Sequence, residues 1–149
     1  MTWKEAVDYV CPASWGEGSL ATLASEARNA LERGRPLFRR AVGQPPRRTD
    51  APRLGAILAC LGTGLDLQAA SVARGSSGGR ELLLGDGLVT RALELAGSFG
   101  ADTLDAIVAL AHRVLGEEAP LRALEELLDQ RGIDPLLTYP SATTDGGSA

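Results

Sequence analysis

Aromatic residues are scarce: two Trp, two Tyr and two Phe make up 4% of 149 residues. A core with so few rings must be assembled from many small aliphatic contacts among Leu, Ala and Val. Histidine occurs once, at His112. With no second imidazole to complete a ligand set, it reads as a structural or surface residue. Cysteine occurs twice, at Cys11 and Cys60, without CxxC spacing and among apolar neighbours, so both read as reduced core thiols. No run of 18 apolar residues is present, and MTWKEAVDYV lacks the basic-then-apolar order of a signal peptide. A cytoplasmic location is the expectation. Sustained period-two alternation is missing throughout, which argues against strands.

Basic charge is also in short supply. Fifteen Lys and Arg face nineteen Asp and Glu, for a net charge of −4, so a general grip on nucleic acid or anionic membrane is excluded. Arg35, Arg39, Arg40, Arg47 and Arg48 form the one basic cluster and read as a solvated loop flank in preference to a phosphate-binding patch.

What the chain does have is helical periodicity. Thr2 and Glu5 form a capping box before a short helix with Trp3, Ala6, Val7 and Val10 on one face, stopped by Pro12. Ser19 is placed to cap a second helix, with Leu20, Leu23, Ala24, Ala27, Ala30 and Leu31 at helical spacing, ending at Gly34. Residues 41–53, with three prolines, read as a loop. Pro52 suits the first turn of a long helix through Leu54, Ile57, Leu58, Leu61, Leu65, Ala69 and Val72. GSSGG at 75–79 reads as a flexible loop. The next helix carries Leu84, Leu88, Ala92, Leu95 and Phe99; Asp102 is expected to cap another, and Pro120 to open a last one. The expectation is an all-α single domain over residues 1–137, a bundle of about six helices, with a disordered tail from 138 to 149.

Catalytic chemistry finds little purchase. No GxxxxGK[ST] string is present, and Glu117, Glu118, Glu125, Glu126 and Asp129 fall on the polar side of their helix, whose inward positions are Leu. Two glycine pairs remain to be explained. Gly62 and Gly64 interrupt one helix, and Gly85 and Gly87 the next, although a helical glycine costs about 1 kcal/mol against alanine. Close helix packing and a shaped cavity or partner groove are the two readings.

LGTGLDLQAASVARG (61–75) and RELLLGDGLVTRALELAG (80–97) together resemble consecutive pieces of the trans-polyprenyl diphosphate synthase superfamily. In that superfamily an Asp-rich helix ends in an Arg-Arg-Gly turn, and the following helix opens with a Leu-Val-Gly-Asp-Tyr-like string. Leu84, Gly85 and Asp86, followed by Arg91, Ala92, Leu93 and Glu94, match the second string. When Ala73, Arg74 and Gly75 are set on the turn, Thr63, Gly64, Leu65 and Gln68 fall where catalytic members carry His-Asp-Asp and the last Asp of DDxxD, whose acids hold Mg²⁺. The second Asp-rich motif is absent from these residues.

The pattern is similar to the small subunit of two-component heptaprenyl and hexaprenyl diphosphate synthases, where a Gly-Leu-Asp string precedes Leu-Ala-Gly-Asp; Gly64, Leu65, Asp66 and Leu83, Leu84, Gly85, Asp86 stand in those places. The Thr-His that follows Leu-Asp there is replaced by Leu67 and Gln68. The resemblance implies half of an isoprenoid-synthase-like helical fold and a noncatalytic subunit serving quinone side-chain synthesis. A larger partner would supply Mg²⁺ and bind the allylic and isopentenyl diphosphates, and membrane contact would come through the product alone. Leu84, Gly85, Gly87 and Leu88 are the candidate product-tunnel or interface residues. The alternative is a self-associating helical adaptor unrelated to isoprenoids.

Overall fold

The computed structural model describes residues 1–16, 21–43 and 49–132. Every regular element among them is helical: α1 (Trp3–Val10), α2 (Ala21–Leu31), α3 (Arg35–Gly43), α4 (Ala51–Arg74), α5 (Gly79–Gly97), α6 (Ala101–Val114) and α7 (Pro120–Arg131). Short 3-10 turns at Glu32–Gly34 and Gly75–Gly78 carry α2 into α3 and α4 into α5, so the described chain forms five continuous helical runs. The expected six become five because the turn at 75–78 joins α4 to α5, while residues 35–43 add an unexpected helix that continues the α2 run. Pro36 falls within the first turn of α3, where its missing N–H leaves no bond unmade, and Leu37, Phe38 and Ala41 supply a buried face. Arg35, Arg39 and Arg40 therefore project from a helix instead of a loop flank, and Arg40 pairs with Asp129 of α7. Arg47 and Arg48 lie outside the described residues, as do Ser19, the boundary at 137 and the tail.

α4 is the axis of the fold. Its residues are buried without a break from Leu54 to Leu65, the pattern of a helix covered on all sides. All six other helices touch it. By length and composition the run Ala51–Gly97 contains a stretch apolar enough to cross a membrane, but 67% of that stretch is buried inside the fold. The core is aliphatic, with Leu31, Leu37, Leu54, Ile57, Leu58, Leu61, Leu88, Ile107, Leu124 and Leu128 as its largest fully buried side chains. Among the described residues one aromatic contact supplements it: Trp3 stacks at a tilt on Phe38, ring centroids 5.4 Å apart, while its indole N–H donates to Glu32 at 2.8 Å.

Three local expectations are corrected. GSSGG is no loose linker: Gly75, at φ 62°, reverses the chain, and Gly78 packs so closely that a Cβ would sit 2.5 Å from the Ser71 carbonyl oxygen. Gly34 does not end the helical run but lets it pass close to α4, since a Cβ there would lie 2.8 Å from that of Ala59. At α6 the N-cap is Gly100, at φ 111°, and Asp102 lies in the first turn. A left-handed glycine lets α6 start directly after α5. The capping box of Thr2 and Glu5 forms as expected, and Cys11 caps α1 at the other end.

Two arginines bind the C-terminus of α1 to the rest. Arg91 of α5 donates from Nε to the Val10 carbonyl at 2.8 Å and from Nη2 to that of Tyr9 at 3.2 Å. Arg28 of α2 donates to the Cys11 carbonyl at 3.1 Å and pairs with Asp8. Carbonyls at a helix end have no partner within the helix, so these charged donors fix α1 where it lies.

Candidate functional site

α4 and α5 fold back on each other as an antiparallel pair, and the glycines set their separation. A Cβ on Gly85 would lie 2.7 Å from the Gly64 carbonyl oxygen, and one on Gly64 would lie 2.9 Å from the Gly85 oxygen. Backbone meets backbone at this crossing. One turn along, Cys60 donates its thiol to the Leu88 carbonyl at 3.1 Å, and Leu88 is fully enclosed. In the opposite direction, Gln68 donates to the Asp86 carboxylate at 2.7 Å. Gly62 serves a second crossing, its missing Cβ making way for Leu121 and Leu124 of α7.

The four candidate residues divide by helical face, since positions three apart share one side. Gly85 and Leu88 enter the α4 crossing and leave no room for a tunnel there. Leu84 and Gly87 turn toward α2. Together with Leu83, Trp15, Leu23, Ala24 and Ala27 they line an apolar pocket of about 190 Å³ that is open to solvent. A side chain at Gly87 would meet nothing within 4 Å. Close packing accounts for Gly62, Gly64 and Gly85, whereas Gly87 borders the pocket.

Asp66 acts at a distance. Its carboxylate accepts from the Leu121 backbone N–H at 2.8 Å, the first turn of α7, whose own N-cap residue, Ala119, has no side-chain acceptor. The acid of the Gly-Leu-Asp string is thus a helix cap supplied by another helix. Nothing in the sequence announces this, because 55 residues separate the pair.

The positions that the resemblance sets on the His-Asp-Asp run and the last Asp of DDxxD are used otherwise. Leu65 is core, Gln68 is bonded to Asp86, and Thr63 is fully buried with its hydroxyl making no hydrogen bond. Among the described residues no three His, Cys, Asp or Glu side chains come together as a metal group. His112 is exposed in the last turn of α6. Residues 75–79 satisfy the letters of the GxSxG nucleophile motif. They join two helices instead of a strand and a helix, and Ser77 spends its hydroxyl on the Arg74 carbonyl at 3.1 Å, so no nucleophile elbow forms.

Both thiols are free and buried. Burial pushes Cys11 up to about 11, against the pull of Arg28 and Arg91. It raises Cys60 well above the ordinary thiol range. Neither is an activated nucleophile.

Around the C-terminal half of α4 lies a second, open groove of about 890 Å³, bordered by Arg33, Leu82 and the segment joining α6 to α7. Comparison with protein-family models, curated proteins and solved structures finds no match.

Proposed function

We propose that this chain is a noncatalytic helical subunit of a heterodimeric long-chain trans-prenyl diphosphate synthase. The observation that carries the reading is the α4–α5 pair. The two strings that resemble the superfamily fold as consecutive antiparallel helices, and Leu84 and Gly87 of the second line an apolar cavity. A pocket of that volume and apolar lining has room for a small hydrocarbon group. The acids of both strings are engaged in holding helices together, Asp66 on α7 and Asp86 on Gln68.

In this reading the larger partner binds the allylic and isopentenyl diphosphates with Mg²⁺. This chain completes the helical assembly and helps set product length for quinone side chains. A self-associating adaptor is the second reading, favoured by the exposed Val72, Leu82, Leu83 and Leu115. Affinity purification of the chain from its own cell extract, followed by mass spectrometry, separates the two. Co-elution of a chain with two Asp-rich motifs supports the synthase subunit; recovery of this chain alone, at homodimer mass, refutes it.

A further inference from the structure

The cover around α4 stops partway along. Beyond Leu65 only Leu67 and Ser71 are buried; Asp66, Gln68, Ala69 and Ala70 are half-exposed, and Val72 and Ala73 are open to solvent. The groove over this stretch contains three of the five large apolar side chains exposed among the described residues: Val72, Leu82 and Leu115. Its floor includes Ala69, Ala70 and Ala73, so a helix laid there could approach at the usual 8–10 Å or so between axes. Apolar side chains concentrated in one concave place mark an interaction surface, whereas scattered ones do not.

The charges beside the groove select the occupant. Glu117 and Glu118 are exposed on its wall with no ion-pair partner among the described residues, against the single cation Arg33; Asp66 is committed to α7. We infer that the groove receives an amphipathic helix of another protein, with Leu-type side chains on the face that meets α4 and Lys or Arg on the flank that meets Glu117 and Glu118. The inference deepens the subunit reading and rests on it for the occupant being a separate chain.

Two other occupants fit the charge less well. Residues 133–149 of this chain include Asp134 and Asp145 and no Lys or Arg. A second copy has its arginine-rich helix α3 already committed, with Leu37, Phe38 and Ala41 in its own core.

The probe is a fluorescein-labelled helical peptide of about 15 residues, Leu at i, i+3, i+4 and i+7 with Lys on the flanks, titrated with the full-length protein by anisotropy. A Leu/Glu peptide of the same pattern is its control. The Lys peptide should bind at least about tenfold tighter, since like charges set against each other oppose binding. The double variant Val72→Asp/Leu115→Asp, at exposed positions that leave the core intact, should lose about tenfold or more in affinity. Glu117→Lys/Glu118→Lys should turn the preference toward the Glu peptide. Asp102→Lys/Asp105→Lys makes the same charge change on the far end of α6 and should leave the ranking as it was. Three results overturn the inference: groove variants that bind as the parent does, an equal effect from the α6 variant, or a parent dimer that Val72→Asp dissolves. If the chain co-purifies with a synthase subunit and Val72→Asp does not weaken that complex, the groove assignment fails while the subunit reading stands.

Discussion

Gly85→Ala and Gly87→Ala add the same methyl group to the same helix two positions apart, and the structure predicts opposite signs. At Gly87 the methyl meets nothing within 4 Å, so only the gain in helix propensity remains, about 0.5–1 kcal/mol. At Gly85 the methyl would lie 2.7 Å from the Gly64 oxygen and 3.1 Å from the Gln68 nitrogen, both backbone atoms that no rotamer change can move. Ordinary contact begins near 3.4 Å, so α4 and α5 must part by about 0.7 Å at the crossing. A gap of that size forfeits roughly a quarter to a half of each affected dispersion contact, and Leu88, Ala92 and Leu61 all pack nearby. Overpacking of this kind costs about 1–3 kcal/mol, leaving a net loss of about 1–2 kcal/mol after the propensity gain. In a chain of this length 1 kcal/mol moves Tm by roughly 2–4 °C. Urea titrations read by circular dichroism give the stabilities, with equal m-values showing that the unfolded reference is shared. Gly85→Ala matching or exceeding the parent would refute the close-crossing account.

Other expectations follow from the same geometry. Asp66→Ala removes the cap from α7 and should lower stability by about 1 kcal/mol, with amide exchange quickening first at the start of α7. Arg91→Met leaves the Tyr9 and Val10 carbonyls without their charged donor. A loss of about 2–3 kcal/mol is expected, with Trp3 fluorescence shifting before the global transition as α1 loosens; a single transition at parental stability would contradict it. Because burial raises the Cys11 thiol to about 11, the folded state keeps its proton where the unfolded thiol, near 9.0, has released it. The native state then binds more protons, so stability is full below pH 9 and falls as pH rises from there to about 11. Cys11→Ala should flatten that decline relative to the parent in denaturant melts at each pH. In the assembled enzyme of the proposed reading, Gly87→Phe should fill the cavity beside Leu84 and shorten the prenyl product, measured by chromatography of the dephosphorylated alcohols.

Much of the helix pattern was legible because Leu and Ala recur with a period near 3.6: the faces of α1, α4, α5, α6 and α7 can be traced that way. α3 was not, because its arginines and a proline imitate a loop when position within the first helical turn is ignored. GSSGG misled for a related reason: composition reports freedom, and here the glycines answer to closeness. The glycine pairs were recognisable as a question. Their answer needed the partner across the crossing, since only the fold puts Gly64 opposite Gly85 while leaving Gly87 on a cavity. Asp66 was noticed for its place in a string, yet its task depends on Leu121, far away in the chain. The groove over α4 was invisible to periodicity altogether, because Val72, Leu82 and Leu115 come from three different segments.

Prenyl transfer in a reconstituted pair tests the central claim most directly. Labelled isopentenyl diphosphate, an allylic diphosphate and Mg²⁺ are given to this chain, to the co-purified larger subunit, and to the two together. The account predicts no product from this chain alone and long-chain product only from the mixture. Turnover by this chain alone, or a larger subunit whose rate and product length are indifferent to its presence, would contradict it.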